Sequence, residues 1–227
     1  METGAQAWEA QLAQELRPLG VESFGVVWDA PRAWDEGTRR VVPRPGAAPL
    51  TLAHDEREAP YALRADGCED CGLLVSLTDE VSLAACAWAR LAGGSSVLGL
   101  GIDLADPQDF AGERGERFNH LLFTEGEQRL VSQLWPGDEP LGYAYAFSAK
   151  EAAFKACAAP LRRWYESHAE ELVFDLRGFE LVDERHEAGT APRGNADYAL
   201  PKLEIGRLEL ARHTVAGYAC TVCVALP

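Results

Sequence analysis

Apolar residues near the start of the chain recur at helical spacing. Trp8, Leu12 and Leu16 fall on every fourth position, and Gly20 follows them. This spacing puts the three side chains on one face of an amphipathic helix, and the glycine is typical of a helix end. The apolar stretch SFGVVWD, residues 23–29, predicts a strand directly afterwards.

The hydrophobic pattern then weakens and returns. Residues 35–70 are rich in proline, glycine and charge without a sustained period, which predicts an irregular segment with at most one short element. Two apolar stretches, GLLVSLT and SLAACAWARL, flank a polar turn at Thr78–Asp79–Glu80 and predict a hairpin. The nearly continuous apolar run VLGLGIDL, residues 97–104, predicts a buried strand.

The second half of the chain alternates helical and strand patterns. Thr124 and Glu127 have the spacing of a capping box, which predicts a helix start. The longest helical candidate covers residues 147–172, and Pro160 is expected to kink or divide it. Strands are expected over residues 172–182, 202–210 and 218–226.

The two halves resemble each other in one respect, since each places a polar break between two apolar strands late in its length. The sequence therefore predicts an α+β fold of two similar halves. The predicted division gives residues 1–110, ending after the strand of Asp103, and residues 111–227, containing the helix around Lys150 and Glu151.

Composition narrows the classes of function. The chain of 227 residues carries 36 acidic and 21 basic side chains and a formal charge of −15, which argues against nonspecific nucleic-acid binding. It has no apolar run of about 18 residues, the length that a membrane-spanning helix needs. The N-terminal stretch lacks the basic and apolar regions of a secretory signal, so a cytoplasmic location is expected.

An anionic ligand would need a local basic patch on this acidic chain. One candidate cluster is Arg39, Arg40 and Arg44, and a second is Lys155, Arg162 and Arg163. Scattered solubilising charge is the alternative interpretation of both clusters.

Two Cys-x-x-Cys pairs, Cys68/Cys71 and Cys220/Cys223, have the spacing of zinc ligands. The second pair lies in the apolar stretch YACTVCVAL, and residues three apart on a strand point to opposite faces. Small buried or loop cysteines are therefore favoured over a structural zinc site or a redox pair.

The segment FSAKEAAFKA, residues 147–156, has two interpretations. Ser148 and Glu151 fit a capping box, and Glu151 and Lys155 form a favourable i, i+4 pair, so the segment could be purely structural. However, Asp103 ends a buried apolar strand, and a carboxylate there needs a partner or a cation. Asp103 and Glu151 could together offer hard oxygens to Mg²⁺, with Lys150 and Lys155 balancing phosphate charge.

The pairing of GLGIDLAD with AFSAKEAAFKA resembles the signature of the 4′-phosphopantetheinyl transferases. In this family a Gly-Ile/Val-Asp strand and a Lys-Glu-Ala-x-x-Lys helix build a site for Mg²⁺ and coenzyme A. The intervening stretch ERGERFNHLLFTEGE is similar to the segment after the aspartate strand in holo-acyl-carrier-protein synthases. The length of the chain resembles the surfactin-type members, which are monomers whose two similar halves form a pseudodimer with the site between them.

The resemblance implies a role for each matching residue. Asp103 and Glu151 would bind Mg²⁺, and Lys150 and Lys155 would contact the phosphates of coenzyme A, with Glu151 and Lys155 as the catalytic candidates. Either Glu151 or a metal-bound water would take the proton from a serine of an acyl or peptidyl carrier protein. The serine would then receive the 4′-phosphopantetheine arm, and adenosine 3′,5′-bisphosphate would leave.

Two departures from the family pattern keep an alternative open. Surfactin-type members carry a second acid two residues after the aspartate, where this chain has Ala105. Asp79, with Glu80 beside it, occupies the place of a histidine that lies near phosphate, so phosphate recognition would shift to Arg39, Arg40 or Arg44. The alternative is a protein of the same fold that has lost transfer and acts as a binding or regulatory partner.

Overall fold

A computed structural model describes residues 2–30, 35–36, 39–44, 47–55, 59–168, 176, 179, 181–182, 193–194 and 199–227. The helices are α1 (Glu2–Leu16), α2 (Gly112–Leu122), α3 (Glu125–Leu134), α4 (Glu139–Ala156), α5 (Ala158–Ser167) and α6 (Ala199–Lys202). The strands are β1 (Val21–Asp29), β2 (Asp35–Glu36), β3 (Arg39–Arg44), β4 (Ala47–His54), β5 (Pro60–Leu63), β6 (Leu73–Asp79), β7 (Ala84–Leu91), β8 (Gly99–Ala105), β9 (Leu181–Val182), β10 (Arg193–Gly194), β11 (Arg207–Val215) and β12 (Tyr218–Leu226). The α+β class expected from the sequence is confirmed.

Two antiparallel three-stranded sheets form the centre of the fold, with orders β1-β7-β6 and β11-β12-β8. Each sheet puts the last of its three strands in the middle, which agrees with a repeated unit. The division at residue 110 and the superposition of two halves stay predictions. The strand of Asp103, β8, pairs with β12 and so belongs to the sheet of the C-terminal half.

The two sheets meet where β6 lies beside β8. Side-chain oxygens make this junction: Ser76 Oγ accepts from Ile102 N at 3.0 Å, and Thr78 Oγ1 accepts from Leu104 N at 3.2 Å. Both partners advance by two residues, so the strands run in the same direction, and side chains on one face of β6 are turned to β8.

Helix α4 lies directly on β8 because β8 presents glycines to it. A β-carbon at Gly99 would overlap the carbonyl oxygen of Ala156, and one at Gly101 would overlap that of Ala152. The facing side of α4 is rich in buried alanine, which also permits close approach. This contact fixes the register of the helix that carries Glu151 and Lys155 against the strand that carries Asp103.

Two expectations about helix ends have different outcomes. The capping box at Thr124 and Glu127 is confirmed, with both reciprocal hydrogen bonds present. The capping box at Ser148 is wrong, because α4 begins at Glu139 and Ser148 lies buried in its middle. Ser148 Oγ bonds instead to Thr221 Oγ1 at 2.6 Å and to the Tyr145 carbonyl oxygen at 3.3 Å.

The break near Pro160 is confirmed, since α4 ends at Ala156 and α5 begins at Ala158.

Residues 35–70 differ from the expectation of an irregular segment. Their described part forms an antiparallel sheet in the order β2-β3-β4-β5. Buried Val42, Leu50 and Leu52 pack this sheet against β6 and β7, and the many charges and prolines around them hide the pattern in the sequence.

No helix in the described ranges is both long enough and apolar enough to cross a membrane.

Candidate functional site

A cavity of about 930 Å³ opens beside the junction of β6 and β8. Its walls come from two parts of the chain: the β4–β5 region and β6 on one side, and β8, α4 and α5 on the other. The acidic residues on the wall are Asp55, Glu69, Asp79, Glu80, Asp103, Glu151 and Glu166, and the basic residues are Lys155, Arg162 and Arg163. Carboxylates therefore outnumber cationic side chains around the cavity.

Asp103 is the most deeply buried acid on this wall, with 4% of its surface exposed. Its Oδ1 accepts from Lys155 Nζ at 2.6 Å and from Thr78 Oγ1 at 3.0 Å. Its Oδ2 is buried and has no hydrogen-bond partner among the residues that the structure describes. An unpaired carboxylate oxygen is costly in such a position, so a further donor or a cation there would stabilise it.

Burial raises the pKa of Asp103 to about 6, because desolvation penalises its charged form. Lys155 opposes this shift through its charge and its hydrogen bond, whereas the charge of Glu151 adds to it. Burial also raises the pKa of Glu80 to about 7, and the charge of Asp103 contributes to that shift. The negative charges of Glu80 and Glu151 are therefore each in repulsion with that of Asp103 at this junction.

The structure places Asp103, Glu151 and Lys155, which the sequence singled out, on the wall of one cavity. Glu151 is partly buried, and Lys155 follows it by one helical turn. Their catalytic and metal-binding roles stay predictions. Thr78 was missed by the sequence analysis, although its alternation with Ser76 in the strand VSLTD places it on the same face of β6.

Lys150 has a different environment from the one expected of a residue that contacts coenzyme A phosphate. It is 2% exposed, and its Nζ donates to Glu127 Oε1 at 2.9 Å, to Glu127 Oε2 at 3.2 Å and to the Leu122 carbonyl oxygen at 3.3 Å. These bonds join α4 to α2 and α3, and none of the three residues lines the cavity. Lys150 therefore has structural partners, and its contact with coenzyme A phosphate stays a prediction.

The remaining basic candidates divide into two groups. Arg39, Arg40 and Arg44 belong to β3, but their side chains lie outside the described part of the structure. Arg162 and Arg163 belong to α5 and line the cavity. Arg162 donates to Glu69 and lies over the ring of Tyr61 at 5.4 Å, so it ties α5 to the β5 region.

The six cysteines all lie in the described part of the chain and form no disulfide. Cys220 and Cys223 are both buried in β12 and face different hydrophobic clusters, as expected for residues three apart on a strand. Within the described residues, no group of three histidine, cysteine, aspartate or glutamate side chains is arranged to hold a metal ion. For Mg²⁺, the donor chemistry fits nonetheless, because Asp103 Oδ2 is unpaired and Glu151 offers a second carboxylate at the same cavity.

A model of the 4′-phosphopantetheinyl transferase superfamily matches residues 99–223, which run from β8 into β12 and include Asp103, Glu151 and Lys155. The chain belongs to this superfamily, and the enzyme class predicted from the sequence is confirmed. No curated protein matches the chain.

Three solved structures are similar to part of the chain. The acyl carrier protein synthase of Mycobacterium tuberculosis is 24% identical, with a TM-score of 0.38, over 58% of this chain and 99% of the other. The holo-[acyl-carrier-protein] synthase of Neisseria meningitidis is 20% identical, with a TM-score of 0.43, over 58% and 99%. The ACPS–CoA complex of Chronobacterium ammoniagenes is 24% identical, with a TM-score of 0.39, over 56% and 94%.

Proposed function

We propose that this chain transfers the 4′-phosphopantetheine arm of coenzyme A to a serine of an acyl or peptidyl carrier protein in the cytoplasm, in a reaction that depends on Mg²⁺. The observation that carries the proposal is the arrangement around Asp103. A buried carboxylate with one unpaired oxygen, a lysine and a second carboxylate share a cavity within a family of phosphopantetheinyl transferases.

Asp103 and Glu151 are the residues that would hold Mg²⁺, with further positions left for water and the diphosphate of coenzyme A. When bound, the cation would neutralise and polarise the diphosphate. Lys155 is suited to contact a phosphate because its side chain is 28% exposed and already reaches the cavity. Once Asp103 had its cation, the Lys155 ammonium group would be able to move from that carboxylate to a phosphate. The cation would then balance the charge of Asp103.

Glu151 is the proposed base for the carrier serine. The serine oxygen forms a bond to the β-phosphorus of coenzyme A while its proton passes to the Glu151 carboxylate. The bond between that phosphorus and the bridging oxygen breaks, and its electron pair leaves with adenosine 3′,5′-bisphosphate. Glu151 is only partly buried at the cavity wall. Its carboxylate can therefore accept this proton without first losing all of its hydration.

The cavity is large enough for a coenzyme, and part of its lining is apolar. Its volume of about 930 Å³ lies within the range of known ligand sites. Phe147, Phe154 and Tyr61 contribute apolar surface for the pantetheine arm or the adenine ring. For the phosphates we propose Lys155 together with Arg39, Arg40 or Arg44, and we assign Lys150 a structural role.

The experiment combines the purified chain, coenzyme A, MgCl₂ and a panel of apo carrier proteins, and reads the intact mass of each carrier. We expect at least one carrier to gain one phosphopantetheine group. Glu151→Gln should slow transfer by about 100-fold or more, because the base is lost, while Glu22→Gln on the exposed surface of β1 serves as the control. Coenzyme A binding without transfer to any carrier would contradict this function and favour the alternative of a binding protein.

A further inference from the structure

The junction of the two central sheets reaches the cavity through Thr78. This residue lies on β6, is 7% exposed and belongs to the cavity wall. Its Oγ1 accepts from Leu104 N at 3.2 Å and donates to Asp103 Oδ1 at 3.0 Å. A hydroxyl group has a single proton, and the Leu104 N–H already donates, so the proton of Thr78 is directed to the aspartate carboxylate.

Ser76 makes a similar contact without a carboxylate. It precedes Thr78 by two residues on the same face of β6 and is 2% exposed. Its Oγ accepts from Ile102 N at 3.0 Å. Within the described ranges, the donors to Asp103 Oδ1 are Thr78 and Lys155, and Ser76 is not among them. Two hydroxyl groups thus hold the junction, and the second also holds Asp103.

The two donors to Asp103 Oδ1 differ in conformational freedom. Lys155 carries its charge on a flexible stem, and its side chain is 28% exposed. Thr78 is β-branched and buried, so its χ1 angle is restricted, and its bond to Leu104 N ties the hydroxyl to β8. Under the proposed function Lys155 moves to a phosphate, whereas Thr78 stays on the carboxylate.

We propose that Thr78 is a positioning residue for phosphopantetheine transfer, because its hydroxyl group holds the Asp103 carboxylate in one orientation when Lys155 leaves it. This inference rests on the proposed function for the role of Asp103. The N-terminal sheet then contributes to the reaction through the geometry of an aspartate in the C-terminal sheet. A misdirected carboxylate weakens contacts that matter most in the transition state, so losing Thr78 lowers kcat more than it raises KM for coenzyme A.

The test compares two conservative variants of Thr78 with a matched control on the same strand. Thr78→Val keeps the shape and removes the hydroxyl group, Thr78→Ser keeps the hydroxyl group, and Ser76→Ala removes a junction bond that does not involve Asp103. Transfer to a carrier protein gives kcat and KM, and crystal structures of the wild type and Thr78→Val give the orientation of the Asp103 carboxylate. We expect Thr78→Val to turn the carboxylate and to lower kcat by about tenfold or more, with a smaller change in KM. Thr78→Ser and Ser76→Ala should keep most of the activity.

Equal loss of kcat in Thr78→Val and Ser76→Ala would assign Thr78 to the packing of the junction alone and overturn the proposal. The same holds if Thr78→Ser is as slow as Thr78→Val. If Thr78→Val does not fold, Thr78→Ala against Thr78→Ser isolates the hydroxyl group in the same two measurements. Transfer by the wild type with an unturned carboxylate in the variant refutes this inference alone. A turned carboxylate without transfer by the wild type refutes the proposed function and leaves the orienting contact in place.

Discussion

Lys155 Nζ donates a hydrogen bond of 2.6 Å to Asp103 Oδ1, which joins α4 to β8 at the wall of the cavity. The lysine side chain is 28% exposed and the aspartate side chain 6%, so the anion depends on this pairing more than the cation does. Removing Lys155 therefore acts mainly through Asp103.

We expect Lys155→Met to destabilise the fold by about 1–3 kcal/mol at pH 8, because a buried carboxylate loses its partner. The pKa of Asp103 is about 6 in the native chain and is raised above its ordinary value of 3.8. The stability of the native protein therefore falls as pH rises from about 4 through 6. In the variant this fall continues to higher pH, because Lys155 no longer lowers the pKa of Asp103.

Urea unfolding at pH 5 and pH 8 checks this prediction, with Lys155→Arg as the control that keeps the charge. The loss should be small at pH 5, where Asp103 is already protonated in both proteins. An equal loss at both pH values would show that packing of the lysine stem, and not the Asp103 charge, is responsible.

The second prediction concerns Lys150 and Glu127, whose side chains are 3% and 0% exposed. Lys150→Met should cost about 3–5 kcal/mol, because it leaves Glu127 charged and buried. Adding Glu127→Gln should recover most of this loss, since the amide oxygen can still accept from Thr124 N. Thermal unfolding of the single and double variants measures the recovery.

The same double variant decides whether Lys150 has a second role. If Lys150 is structural, the stable double variant should bind coenzyme A with wild-type affinity by calorimetry. A loss of affinity in a protein of restored stability would return Lys150 to the phosphate site that the sequence predicted.

Local patterns in the sequence identified Asp103, Glu151 and Lys155, which lie on the wall of the cavity. The apolar run up to Asp103 and the spacing of Glu151 and Lys155 each depend on one strand or one helix, and the structure has Asp103 in β8 and the other two residues in α4. Ser148 shows the limit of this reasoning: its capping pattern is valid locally, but the apolar segment before it packs against the core and extends α4 to Glu139.

Other features depend on contacts between distant segments. The partner of Lys150 is Glu127, which no pattern around residue 150 reveals. Glu80 looks like part of an exposed turn in the sequence, but in the fold it lies with Asp103 on the wall of the cavity. The sheet of β2–β5 was missed because its few core residues are separated by charges, prolines and turns.

The third prediction tests the close contact of α4 with β8. Gly101→Ala should destabilise the fold by roughly 2 kcal/mol or more, because the new methyl group would overlap the Ala152 carbonyl oxygen and push the helix away. Transfer should fall as well, since Glu151 and Lys155 would move from Asp103. Gly93→Ala is the control, because a β-carbon there meets nothing within 4 Å.

Differential scanning calorimetry and the carrier mass assay read the two effects of Gly101→Ala. A variant that keeps its unfolding temperature and its activity would show that α4 can shift without disturbing the site. A stable variant without activity would support a purely geometric role for this glycine.

The fourth prediction concerns Asp70 and Arg90, which form a two-pronged ion pair with both nitrogen–oxygen distances at 2.8 Å. The pair joins the turn before β6 to β7. The hydrogen bond from Arg90 lowers the pKa of Asp70, so the charged carboxylate stabilises the fold. Asp70→Asn should cost about 1 kcal/mol at pH 7, near the upper end for a partly exposed pair.

The pH dependence of this effect has a definite sign. A folded-state pKa below the unfolded value contributes stability above the unfolded pKa of about 4, and this contribution is lost as pH falls through the folded pKa. Urea unfolding curves of the wild type and Asp70→Asn should therefore converge below pH 4. Asp66→Asn is the control, because Asp66 pairs with Arg64 at 3.2 Å but both side chains are more than half exposed, so its effect should be smaller than that of Asp70→Asn. Curves that stay parallel down to the acid limit would assign the Asp70 effect to its hydrogen bond with Gly72 N, which is 3.2 Å long, and not to its charge.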